Sequence, residues 1–115
     1  MVERWFKHLG EIWAAKDPDA IRGLLSDSFE YYEDPHRPPL TTADAVIDEW
    51  RAVKKQDIIR LDIKPLIIKD LEGFAKYSFA YRDPDGVEHK SEGAYFVKLD
   101  DEGKALEFRQ WWNSR

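Results

Sequence analysis

The chain of 115 residues has no cysteine and a net charge of −5, which excludes disulfides, thiolate chemistry and Cys-based zinc sites and leaves no basic stripe for nucleic acid. Hydrophobic residues make up 43% and charged residues 36%, the balance of one domain, residues 1–115, with a core under a solvated surface. The opening "MVERWFKHLG" lacks the apolar centre of a signal peptide and no apolar run approaches membrane length, so a soluble cytoplasmic protein is expected.

The first third reads as helices. Trp5, Leu9, Ile12 and Trp13 form one stripe at helical period. "KDPDAIRGLL" restarts a helix, with Asp17 as N-cap and Pro18 at the first helical position; Ala20, Ile21, Leu24 and Leu25 are its buried face. "SDSFEYYED" is the first strand, stopped by Pro35, Pro38 and Pro39. "LTTADAVIDEWRAV" is the third helix, opened by a capping-box-like Thr41 and Asp44, with Ala43, Val46, Ile47, Trp50 and Val53 inward.

Strands follow. "DIIRLDIKPLIIKD" alternates until Pro65, where a bulge or an edge is expected. "GFAKYSFAYRD", "VEHKSEGAYFVKL" and "KALEFRQWW" complete an antiparallel meander through the turns "DPDG" and "DDEG". Helices first and a meander after predict an α+β fold with helices on one face of a curved sheet.

Period-two alternation sorts the strand residues. The inner set is Ile59, Leu61, Ile63, Ala75, Tyr77, Phe79, Tyr81, Tyr95, Val97, Leu99, Leu106, Phe108, Gln110 and Trp112. The outer set is charged, Arg109 included, except for Phe96 and Trp111, which mark a surface for a second copy of the chain. Tyr77, Tyr81, Tyr95 and Trp112 together describe an open cone lined with rings and hydroxyls, and Gln110 among apolar neighbours needs a partner there.

This layout resembles the NTF2-like superfamily, and within it the SnoaL-like branch, relatives of polyketide cyclases and ketosteroid isomerases. The resemblance spans nearly the whole chain. It rests on "AAKDPDAIRGLLSDSFEYYEDP", "LTTADAVIDEW" and "AYFVKLDDEGKALEFRQWW". It implies three N-terminal helices packed in the concave face of a strongly bent, mainly antiparallel sheet. In ketosteroid isomerases a similar Glu-Asp-Pro follows the first strand and its aspartate shuttles the proton. The resemblance therefore implies Asp34 as base, and Trp112 matches a pocket tryptophan on the last strand. The oxyanion positions depart from the pattern: residues near Leu9 replace a tyrosine, and Tyr95 replaces a protonated aspartate. The Asp-Arg-Asp arrangement of epoxide-hydrolysing members has no counterpart, since Arg109 is outward and no second aspartate points inward.

Chemically, Asp34 at a cavity mouth is the candidate general base, or an Asx-type cap of the proline loop. His36 is its candidate partner in acid/base work, or an exposed loop histidine. Tyr32 shares strand parity with Asp34, and Glu33 is expected to point away into solvent. The candidate site is thus Asp34 and His36 for catalysis, with Tyr32, Tyr77, Tyr81, Tyr95, Phe108, Gln110 and Trp112 around a ligand. His8, His36 and His89 lack metal-ligand spacing; no metal, no cofactor, no nucleic acid and no membrane are expected. Three readings stay open: an isomerase or cyclase acting by acid/base catalysis on an apolar carbonyl compound, a non-catalytic binder of a small apolar molecule, and a dimerisation or interaction domain.

Overall fold

The amphipathic stripe at the N-terminus winds into α1 (Val2–Ala14), which buries Val2, Trp5, Phe6, Leu9 and Trp13. This computed structural model describes residues 1–114, with side chains through Asn113. Lys16 follows at positive φ, and the chain re-enters helical geometry at Pro18. That segment, Pro18–Leu24, is a 3-10 helix in place of the α-helix its spacing predicts. Pro18 occupies the first position as expected, but the Asp17 side chain makes no capping hydrogen bond. A seven-residue segment ending directly in a strand has too few turns to repay α-helix nucleation.

Strand β1 (Leu25–Tyr32) leads into the proline loop. Helix α2 (Ala43–Trp50) begins one residue later than the capping-box reading. Its cap is Thr42, whose hydroxyl accepts from Ala45 N–H at 3.2 Å. Thr42→Ala is expected to lower stability by about 1 kcal/mol in chemical denaturation, while Thr41→Ala changes it little. The last part of the predicted third helix, Arg51–Lys55, tightens into 3-10 geometry.

Strands β2 (Asp57–Lys69), β3 (Glu72–Arg82), β4 (Glu88–Leu99) and β5 (Ala105–Ser114) form the meander. The sheet order is β1-β5-β4-β3-β2. The β1 strand lies parallel to β5, with Tyr31 beside Phe108. Gly86 and Gly103 supply positive φ in the two turns, a conformation costly for other residues.

Bulges shift the parity in two places. Between Ile58 and Arg60 the β2 register slips, so Ile58 packs on the core and Ile59, expected inward, is 47% exposed. Between Lys98 and Leu99 the β4–β5 register slips, so Ala105 is buried in place of Leu106. An extra residue reverses every side chain beyond it. A third slip falls between Pro65 and Ile67, where the proline predicts it. The remaining inward residues hold their parity. The sheet is open, not a closed barrel, and α1, the first 3-10 turn and α2 cover its concave side.

The core is strongly aromatic. Tyr77 stacks on Tyr95 at 4.4 Å and Tyr31 on Phe108 at 4.6 Å, while Trp13 meets Trp50 edge-on at 5.1 Å. Phe108, expected to touch a ligand, is 1% exposed and supports the floor from within this core. On the outer face Phe74 joins the expected Phe96 and Trp111, with ring centroids at 5.0 and 6.2 Å.

Candidate functional site

A cavity of about 200 Å³ opens at the end of the cone where β1, α2 and β5 meet. Its walls are Trp13, Tyr31, Trp50, Val53, Tyr95 and Trp112, and its polar groups come from Glu33, Glu49, Gln56 and Gln110. Larger depressions lie elsewhere, including a groove of about 650 Å³ beside Glu3, Lys7 and Leu66. None of them gathers such a set of rings and acids.

Each side chain arrives for a local reason. Leu25, Phe29 and Tyr31 are the buried residues of β1, all at one parity, so the next inward position is Glu33. The expectation that Glu33 points into solvent is thereby corrected: it lines the cavity. Glu49 precedes Trp50 at the end of α2, one turn beyond the buried Val46, and reaches the rim. The two carboxyls share a hydrogen bond, which one of them makes only when protonated. Partial burial, that hydrogen bond and the charge of Glu49 raise the Glu33 pKa from 4.5 to about 7, with the exposed Arg37 acting in the opposite sense.

The phenols are prepared as donors. Trp50 donates its indole N–H to the Tyr31 hydroxyl at 2.7 Å, leaving the phenolic proton for another acceptor. Burial lifts the Tyr31 pKa far above its ordinary value, and that of Tyr95 likewise. Gln110 donates to the Tyr77 hydroxyl at 3.5 Å, and Tyr77 meets Ser91 at 3.3 Å. Gln56 accepts from the Trp13 indole at 3.2 Å. Tyr31→Phe is expected to cost about 1–3 kcal/mol in urea denaturation, because it strands a buried indole N–H.

The residues singled out in the sequence divide into two groups. Tyr95, Gln110 and Trp112 come together in the cavity wall, and Tyr77 stands behind Gln110. Trp112 is at the mouth, 50% exposed. Tyr81 lies toward the far end of the sheet, stacked between Phe79 and His89. Tyr32 turns to the outer side, where the Arg109 guanidinium sits 4.0 Å from its ring centroid. The carboxylate of Asp34 accepts the backbone N–H of His36 at 2.8 Å, an Asx turn closed further by Arg37 N–H to Asp34 O at 3.2 Å. Neither Asp34 nor His36 borders the cavity, and the His36 ring is exposed.

Sequence reading missed Glu33, Glu49, Tyr31, Trp50, Trp13 and Gln56 as wall residues. Counting by two from Phe29 and Tyr31 reaches Glu33, whereas counting from Tyr32 reaches Asp34, and with rings at both parities the local sequence offers both. Among the described residues no group of three or more His, Asp or Glu is placed to hold a metal ion. No helix is long and apolar enough to cross a membrane.

Comparison with known proteins matches this geometry to solved structures. No family model matches the chain, and no curated protein does. Among solved structures, a Delta 5-3-ketosteroid isomerase from Mycobacterium sp. superposes with a TM-score of 0.81 at 14% identity, over 97% of this chain and 92% of the other. The epoxide hydrolase/cyclase-like enzyme SalBIII, which acts in pyran ring formation in the polyether salinomycin, superposes with a TM-score of 0.72 at 17% identity, over 97% and 87%. The chain shares the fold of these two enzymes, an NTF2-like cone.

Proposed function

We propose that the chain is a small-molecule isomerase or cyclase of the SnoaL type, moving a proton at a carbon next to a carbonyl inside the cone cavity. The observation that carries this reading is the Glu33–Glu49 carboxyl pair lining the same small aromatic cavity as Tyr31 and Tyr95. A carboxyl whose pKa lies near 7 serves as a proton carrier at neutral pH, able both to take and to return a proton. Phenols opposite it stabilise the oxyanion that forms when the carbonyl enolises. The pair thus takes the role that resemblance assigns to Asp34, and Asp34 shapes the turn that presents Glu33. The two similar folds, an isomerase and a cyclase-like enzyme, support the reaction class and not the substrate. The reaction as drawn needs no cofactor, since proton and oxyanion are both handled by side chains.

The test is exchange of α-protons in deuterated water, followed by NMR over a panel of small cyclic ketones. Glu33→Gln is expected to slow exchange by about 10²–10⁴-fold, and Tyr95→Phe by less. Asp34→Asn, which keeps an acceptor for the turn, retains most of it. Loss in Asp34→Asn with exchange unchanged in Glu33→Gln would return the role to Asp34. No exchange by wild type with any ketone would leave a binding protein.

We also propose a homodimer through the outer face of the sheet. Phe74 (41% exposed), Phe96 and Trp111 (38% exposed) form an aromatic stripe among Lys76, Glu92, Lys98 and Glu107, a mixture of signs that complements itself across a two-fold axis. Trp111→Lys is expected to convert a dimer to a monomer in sedimentation analysis; a wild type that sediments as a monomer overturns this.

A further inference from the structure

The cavity's chemistry is narrower than "small carbonyl compound". Its lining contains two carboxyls and no Lys, Arg or His among the described residues. The walls are rings: Trp13, Trp50 and Trp112 with Tyr31 and Tyr95. A second feature is independent of the acids. Tyr95 is only 1% exposed, yet its hydroxyl has no hydrogen-bond partner among the described residues. No fully buried side-chain nitrogen or oxygen lacks a partner, so what remains accessible of Tyr95 is this hydroxyl, opening into the cavity. Buried phenols normally find a partner within the fold; this one is left for a ligand.

From the ring walls, a lining whose charged groups are carboxyls alone and the open Tyr95 hydroxyl we infer that the cavity selects a small organic cation, an amine or quaternary ammonium compound carrying an oxygen function. Ring faces attract such a cation through their quadrupoles, and the carboxyls at the rim supply a full opposite charge. The Tyr95 hydroxyl bonds the oxygen at the ligand's other end. An anion would meet repulsion from Glu33 and Glu49, and a neutral molecule would lack the charge attraction that a cation gains from them.

The inference rests on the cavity being the ligand site, and it predicts a pH dependence that a neutral ligand does not share. The titratable or charged groups acting on Glu33 are Glu49 from α2, and Tyr31, Asp34 and Arg37 from β1 and its turn. Below neutral pH the carboxyl pair holds a proton and a single negative charge; above it both are charged. A cation favours the second state, so it binds more tightly as pH rises.

Choline and its uncharged isostere dimethylbutanol are the probes, titrated into the intact chain while tryptophan fluorescence is followed. Choline is expected to bind roughly tenfold more tightly at about pH 8.5 than at about pH 5.5, and the isostere weakly at both. Glu49→Gln, at an exposed rim position, is expected to remove most of the choline preference, as is Trp112→Leu, with both variants still unfolding cooperatively. Equal binding of the two probes, or choline binding that ignores pH, overturns the cation while leaving the cavity as the ligand site. Failure of both probes to perturb fluorescence overturns the inference as well. Choline binding with no α-proton exchange on any ketone separates the two proposals, keeping the ligand class and removing the catalysis.

Discussion

Gly93→Ala is expected to destabilise the chain by roughly 3 kcal/mol or more, or to prevent folding. Gly93 sits in β4 opposite Tyr77 on one side and Trp112 on the other. A Cβ there meets the Trp111 carbonyl oxygen at 1.9 Å and the Trp112 Cα at 2.8 Å. Both obstacles are backbone, so no side chain can rotate away, and β4 and β5 must part to admit the methyl group. Since β5 carries Gln110 and Trp112, the same change displaces one wall of the cavity. Thermal denaturation of wild type beside Gly10→Ala provides the contrast. Gly10 lies in α1, where an added Cβ finds its nearest neighbour at 3.7 Å, the Ile63 Cδ1. That variant is expected to gain about 0.5–1 kcal/mol from helix propensity. A Gly93→Ala protein that melts with wild type would mean that β4 and β5 do not approach as closely as described.

The second large effect is the titration of the carboxyl pair. In carbon NMR Glu33 is expected to titrate at about 7, and Glu49→Gln to return it toward the ordinary carboxyl range. The sign for stability follows by linkage. The folded-state pKa is raised above the unfolded value, so between 4.5 and about 7 the folded chain holds a proton that the unfolded chain has released. Its stabilising contribution is complete below pH 4.5 and is lost as pH rises through about 7. Glu33 is only partly buried, so the change across this window is on the order of 1 kcal/mol after screening. Glu33→Gln removes the slope and is more stable than wild type at neutral pH. An ordinary titration of Glu33 in wild type would separate the two carboxyls and withdraw the proton-transfer reading.

The site shows where alternation can be trusted. In β3, β4 and β5 several large apolar residues at period two bury one face, and the inward parity of Tyr77, Tyr95, Gln110 and Trp112 is seen in the structure. In β1 the run "EYYEDP" offers aromatic rings at both parities, and the local pattern does not choose between them. The choice falls to contacts distant in sequence. Tyr31 stacks on Phe108 and accepts from Trp50, while Tyr32 is drawn outward under the Arg109 guanidinium. That one decision sends Glu33 into the cavity and leaves Asp34 to bond the His36 N–H. The bulge that exposes Ile59 was equally hidden, because "DIIRL" places two isoleucines side by side and either could face the core.

The sequence by itself determined the α+β architecture, the order of helices and strands, the turns at Gly86 and Gly103, most of the outward aromatic stripe and two rings of the cavity wall, Tyr95 and Trp112. Those features depend on local periodicity and on backbone chemistry, which neighbouring residues suffice to specify. Only the tertiary structure decided which of two adjacent acids faces the cavity, that Glu49 from a separate helix shares a hydrogen bond with it, and that the Tyr95 hydroxyl has no partner among the described residues. These are relations between elements far apart in the chain. They arise when β1 pairs with β5 and α2 closes over that edge, because a carboxyl's proton affinity depends on what surrounds it and not on its neighbours in sequence.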